Sequence, residues 1–126
     1  MSQSKEVARI GEELAAEYLK ERGYQILEQN YRLRTGEIDL IAKEGDRIVF
    51  VEVKTRRTLR FGVPQAAVTP AKQKQISKIA LSYLQTHDML DVPCRFDVVA
   101  ILLSSNKSTP PKLEHIHNAF EFVAEE

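Results

Sequence analysis

Between Gly36 and Arg56 the chain reads GEIDLIAKEGDRIVFVEVKTR, two apolar-rich runs around Gly45-Asp46. A Gly-first dipeptide in that setting is the signature of a two-residue type II′ hairpin loop. Such a loop pairs Glu44 with Arg47, and the register then runs outward in fixed steps. Ile41 falls opposite Phe50, Asp39 opposite Glu52, and Glu37 opposite Lys54. A four-residue loop gives the same pairing; an odd loop length or a bulge would change it. Side chains alternate along a strand, so the hairpin has two unlike faces. One carries Ile38, Leu40, Ala42, Val49, Val51 and Val53 and needs an apolar cover. The other gathers Glu37, Asp39, Glu52 and Lys54. Like charges directly opposite one another cost stability. A divalent cation such as Mg²⁺ removes that cost, because hard ions bind through carboxylate oxygens. Lys54, two residues beyond Glu52, then stands beside anything that ion holds. Glu37 has a plainer reading as a cross-strand ion pair with Lys54.

At 126 residues the chain has the size of a single domain, 1–126, with a modest core. No run approaches the roughly 18 apolar residues of a membrane span, and MSQSKEVARI has no apolar signal core. One cysteine, Cys94, excludes an internal disulfide framework. The expectation is a cytoplasmic protein with no membrane partner. Formal net charge is +0, but its distribution is uneven. Residues 30–78 hold eleven Lys/Arg against five Asp/Glu, and three of those acids are Glu37, Asp39 and Glu52. An acidic centre in a basic surround suits a metal-dependent enzyme acting on a polyanion. A solvated face of mixed charge is the bland alternative.

Lys5 to Arg22 has helical periodicity, with Val7, Ile10, Leu14 and Tyr18 on one stripe and Gly23 as the stop. Glu12 and Glu13 flank that stripe, and periodicity does not choose between them. Tyr24 to Leu33 reads as a first strand, with Arg32 and Arg34 alternating on one face before Gly36. Guanidinium forks suit phosphate oxygens, though arginines also guard an edge strand against pairing. After the hairpin, Arg56, Arg57 and Arg60 punctuate a basic loop that ends in FGVP, suited to gripping a substrate. Thr69-Pro70 predicts an N-cap and first helical residue. The helix that follows runs to about Thr86, burying Ile76, Ile79, Ala80, Tyr83 and Leu84 and leaving Lys72, Lys74 and Lys78 outside. Arg95 to Leu103 predicts a strand buried on both faces, parallel to the second hairpin strand after a crossover. Asp97 begins it, as a capping or ion-pairing acid or else a distant helper at the site. Leu113 to Phe122 predicts a last strand leading into a short C-terminal turn. His115 and His117 share a face, but no Cys or carboxylate at zinc-ligand spacing accompanies them, so no zinc site is read there.

The D…ExK text made by Asp39 and Glu52-Val53-Lys54 resembles the core of the PD-(D/E)xK nucleases. The fuller text resembles the YraN-like family of small bacterial proteins, which are similar to archaeal Holliday-junction resolvases. It includes GEELAAEYL, Asn30 with Arg32, GEIDLI…VFVEVKTR, the FG-P element, FDVVA and HIHNAF. Ile38 stands where the superfamily's textual motif has proline. The resemblance implies an α/β, restriction-endonuclease-like core: a mixed central sheet, antiparallel hairpin meander plus parallel crossover strand, flanked by helices. It implies a divalent-metal-dependent endonuclease hydrolysing phosphodiester bonds, with structured or branched DNA favoured and DNA ahead of RNA. Asp39, Glu52 and the main-chain carbonyl of Val53 would hold Mg²⁺ or Mn²⁺, with Glu12 singled out as a further ligand, directly or through water. Lys54 would orient the attacking water or offset transition-state charge. Arg32, Arg34, Arg56, Arg57, Arg60 and Lys72 would contact nucleic acid, Lys72 because it matches a lysine of the family. Resolvase-like proteins of this size also suggest a homodimer. The rival expectation is a non-catalytic nucleic-acid-binding module that keeps the nuclease fold.

Overall fold

The computed structural model describes residues 3–57, 68–104, 106 and 108–124. Chain order is α1 (Gln3–Glu21), β1 (Gln25–Leu33), β2 (Gly36–Glu44), β3 (Arg47–Arg56), α2 (Pro70–Thr86), β4 (Cys94–Leu102) and β5 (Lys112–Phe120). The fold is α/β, with five strands in the order β1-β2-β3-β4-β5. β3 and β4 are parallel and every other neighbouring pair is antiparallel. A parallel pair needs a crossover, and α2 lies within it.

Helix boundaries follow from local chemistry. α1 stops because Gly23 takes φ +89°, a conformation that costs a residue with a Cβ. The Tyr24 amide then donates to the Leu19 carbonyl and the Gly23 amide to that of Lys20, both at 3.0 Å. These are the two bonds of a Schellman stop. α2 starts where Thr69 accepts the Lys72 amide at 3.2 Å, with Pro70 next.

Each helix covers one sheet face. On the α1 side, Ala15, Ala16 and Leu19 pack with Leu40, Ala42, Val49, Val51, Val53, Val99 and Ile101. On the α2 side, Ile76, Ile79, Ala80, Tyr83 and Leu84 pack with Ile38, Ile41, Ile48, Phe50, Phe96 and Val98. Among the described residues no helix is long and apolar enough to cross a membrane.

The β2–β3 hairpin keeps the expected register from the turn outward: Glu44 with Arg47, Ile41 with Phe50, Leu40 with Val51. Gly45 has φ +60° while Asp46 stays at negative φ, as a Gly-first turn requires. Pairing ends at Leu40. Two expectations therefore change. Ile38 joins the α2-side core and not Leu40's face, because alternation breaks at Asp39. Glu37 pairs with Arg32 of β1 at 3.1 Å and not with Lys54, because β1 supplies its cross-strand neighbour.

Three smaller corrections concern ends. Arg34 lies in the β1–β2 turn, since Leu33 already pairs with Gly36. β5 ends at Phe120, and residues 121–124 have no regular structure in place of the expected turn. That tail is fixed by the Val123 amide donating to Ser77 Oγ at 3.0 Å. The FGVP segment and Arg60 lie outside the described residues.

Candidate metal centre

Where β2 leaves β3, the Asp39 side chain takes over a backbone role: Oδ2 accepts the Val53 amide at 2.8 Å. That bond satisfies an amide the ladder would otherwise have paired. It also fixes Asp39 against Glu52, one residue earlier on β3. Glu52 is 4% exposed, and its Oε1 is buried with no donor reaching it among the described residues. The two carboxyls lie close enough for the charge of Asp39 to act on Glu52. Burial first and the Asp39 charge second push Glu52 up to about 8, against the ammonium groups of Lys72 and Lys54. Burial also raises Asp39, opposed by the Val53 amide.

Two lysines meet the other Glu52 oxygen. Lys54 Nζ lies 3.8 Å from Oε2, and Lys72 Nζ, from the first turn of α2, lies 4.0 Å from the same atom. Glu12 approaches from α1. Burial and then the charge of Asp39 raise its carboxyl, while a hydrogen bond with Asn30 works the other way. Asn30 sits in β1 at φ +54°, a conformation Asn tolerates better than most residues.

Close helix-to-sheet approach brings Glu12 there. A Cβ on its neighbour Gly11 would fall 1.7 Å from Thr55 Oγ1, at the far end of β3. A Gly11→Ala substitution therefore forces α1 off the sheet. We expect a loss of about 1–3 kcal/mol, the usual range for overpacking, measured as a lower melting temperature. An unchanged melt would contradict so close a seat.

Of the residues singled out from sequence, Asp39, Glu52, Lys54, Val53 and Lys72 come together and Glu12 stands beside them. Glu12 stays in electrostatic reach of Asp39. Arg32 is largely exposed and paired with Glu37, Arg34 and Arg57 are exposed, and Arg56 is half-buried at the end of β3. Gly11 and Asn30 were not picked as site residues. A glycine on a helix stripe and an asparagine in a strand were the available signals.

At one place among the described residues three metal-capable side chains come within 4.8 Å of one another, and it lies elsewhere: Asp97, His115 and His117. The carboxylate that sequence spacing did not supply comes from β4, across the β4–β5 pairing. Proximity makes this a possible Asp/His metal-binding group. Its hydrogen bonds describe a closed network. Asp97 Oδ1 accepts Arg95 Nε at 2.8 Å and the Asn118 amide at 2.9 Å. Oδ2 accepts Arg95 Nη2 at 2.9 Å and faces His115 Nε2 at 2.7 Å. Burial pushes Asp97 up, but the His115, Arg95 and Asn118 donors outweigh it and hold it at about 2. A cation here would have to displace a guanidinium.

The donors around Asp39 and Glu52 are oxygens, and Glu52 Oε1 lacks a partner. That set fits a hard divalent ion. Sequence comparison bears on whose site this is: the model of the uncharacterised protein family UPF0102 matches residues 11–101. The chain belongs to this family. UPF0102 is the YraN-like family that the sequence motifs resemble. A UPF0102 protein of Geobacter sulfurreducens is 57% identical over 90% of this chain and 87% of its own length. One from Syntrophus aciditrophicus is 54% identical over 98% of this chain and 94% of its own. One from Syntrophomonas wolfei is 50% identical over 93% and 99%. The UPF0102 match spans every residue of the carboxylate–lysine cluster, from Glu12 to Lys72.

Proposed function

We propose that this chain is a divalent-metal-dependent nuclease of the PD-(D/E)xK type, acting on phosphodiester bonds of nucleic acid, with structured or branched DNA the first substrate to test. The observation that carries the reading is the half-buried Asp39 beside the buried Glu52, whose Oε1 lacks a donor among the described residues while two lysines flank Oε2. A cation between them would offset the charge of both carboxyls and give Glu52 Oε1 a partner. Asp39, Glu52 and the Val53 carbonyl would hold Mg²⁺ or Mn²⁺, with Glu12 directly or through water. The bound ion supplies Lewis acidity, offsetting negative charge as phosphorus is attacked.

The chain's own groups do the rest. The Val53 amide holds Asp39 in place. Lys54 orients the attacking water and offsets charge on the phosphate. Water oxygen bonds to phosphorus and one P–O ester bond breaks, leaving a phosphomonoester and a hydroxyl. Arg34, Arg56 and Arg57 provide phosphate contacts along the nucleic acid, and Arg32 does so in competition with Glu37.

A labelled panel tests the reading: single-stranded, duplex, flap and four-way-junction DNA, plus RNA, each with Mg²⁺, Mn²⁺ or EDTA. The expected result is metal-dependent cutting, greatest on one DNA structure. Salt-sensitive binding to one structure without cutting would overturn it in favour of a non-catalytic binding module.

A further inference from the structure

We propose that Lys72 belongs to the reaction centre, where its ammonium and that of Lys54 form a two-point seat for the scissile phosphate. The inference rests on the metal reading of Asp39 and Glu52 and goes beyond it. Eighteen residues and a change of element separate the two lysines, yet both end on Glu52 Oε2, at 3.8 and 4.0 Å. Charge-assisted hydrogen bonds to carboxylate run about 2.7–2.9 Å. At these longer distances neither ammonium is committed to Glu52. Both ammonium groups thus approach a single carboxylate oxygen, Lys72 being the more exposed of the two at 33% against 25%.

α2 has no acidic residue in its first turn, and Lys72 lies in that turn at the positive end of the helix dipole. Its side chain is 33% exposed, against 4% for Glu52. It therefore spans from the buried carboxyl to the solvent side from which a polyanion arrives. Lys74, two residues on, is exposed on the same helix and makes no such approach to Glu52. A phosphodiester group presents two non-bridging oxygens. With one toward the cation held by Asp39 and Glu52, the other falls to the lysine pair. Lys72 contributes charge to that seat, and Lys54 both shares it and faces the attacking water.

The test uses the full chain, Mn²⁺ as the metal and thymidine 5′-monophosphate as the anion, with Mn²⁺ binding followed by electron paramagnetic resonance. In the wild type the nucleotide tightens Mn²⁺ binding about tenfold, within the usual range for two coupled ligands. Lys72→Ala reduces that coupling to under about twofold, leaves Mn²⁺ alone bound as tightly or more tightly, and Lys72→Arg restores most of it. Lys74→Ala retains the wild-type coupling. Single-turnover cleavage falls about 10²–10³-fold in Lys72→Ala, as for loss of one preorganised charge donor. Coupling that survives Lys72→Ala, or Mn²⁺ affinity that disappears with it, overturns the inference alone. So does a wild type that binds Mn²⁺ without any nucleotide effect. A wild type that binds no Mn²⁺ overturns the metal reading and this inference with it.

Discussion

Glu52→Gln will eliminate metal-dependent cleavage and leave the protein folded. The substitution keeps the side chain's shape and removes the charge that, on the proposed reading, would hold the cation. Loss of about 4 kcal/mol of transition-state stabilisation corresponds to about 10³-fold in single-turnover rate. Stability should move the other way. Glu52 is raised to about 8 in the folded protein, by burial first and then by Asp39, with Lys72 and Lys54 opposing. A raised carboxyl contributes stability that is complete below its unfolded value near 4.5. That stability is lost as pH rises through the folded value. In EDTA the wild-type melting temperature should therefore fall between about pH 4.5 and pH 8. The Gln variant, which does not titrate there, should show a flatter profile and melt higher at pH 8. Full cleavage by the variant would remove Glu52 from the mechanism.

Asp97→Ala will be the most destabilising single change outside the candidate metal centre. Asp97 is 0% exposed and accepts from Arg95 twice, from His115 and from the Asn118 amide. Its removal strands the Arg95 guanidinium, 13% exposed, which among the described residues keeps only Tyr24 at 3.0 Å and Glu44 at 3.4 Å. Breaking a buried pair by deleting one partner costs about 3–5 kcal/mol. The acid limb gives the sign a second check. Asp97 is held at about 2, below the roughly 3.9 of an unfolded aspartate. Its contribution is complete above pH ~4 and drains away toward pH ~2. Calorimetry should show the gap in melting temperature between wild type and variant at its widest near neutrality and narrowing in acid. An equal gap at all pH values would mean the carboxylate charge is not what matters.

The hairpin register was legible as far as Leu40 because turn chemistry alone sets it. It failed at Asp39, where a carboxylate accepts the Val53 amide and β2 departs. No alternation of apolar and polar residues reveals that a side chain will substitute for a backbone partner. The same break sent Ile38 to the α2 side. Both helices could be placed closely from their stop and cap residues, Gly23 and Thr69. Periodicity left Glu12 and Glu13 equivalent; the structure separates them through Gly11, which seats α1 on Thr55 with Glu12 toward Asp39 and leaves Glu13 paired with Arg9 at 2.6 Å. The Asp97–His115 contact was hidden for another reason. It depends on a register shift between Phe96 and Val98 and on Asn118 at φ +51°, both products of strand pairing far apart in sequence.

Two places among the described residues are candidates for a metal, one offering oxygen donors with an unpartnered Glu52 Oε1 and the other an Asp/His group closed by Arg95. A crystal grown with Mn²⁺ and measured near the manganese absorption edge separates them. The account predicts an anomalous peak between Asp39 and Glu52 and none at Asp97, His115 and His117. A peak at the Asp/His group with nothing between the two carboxyls would contradict it.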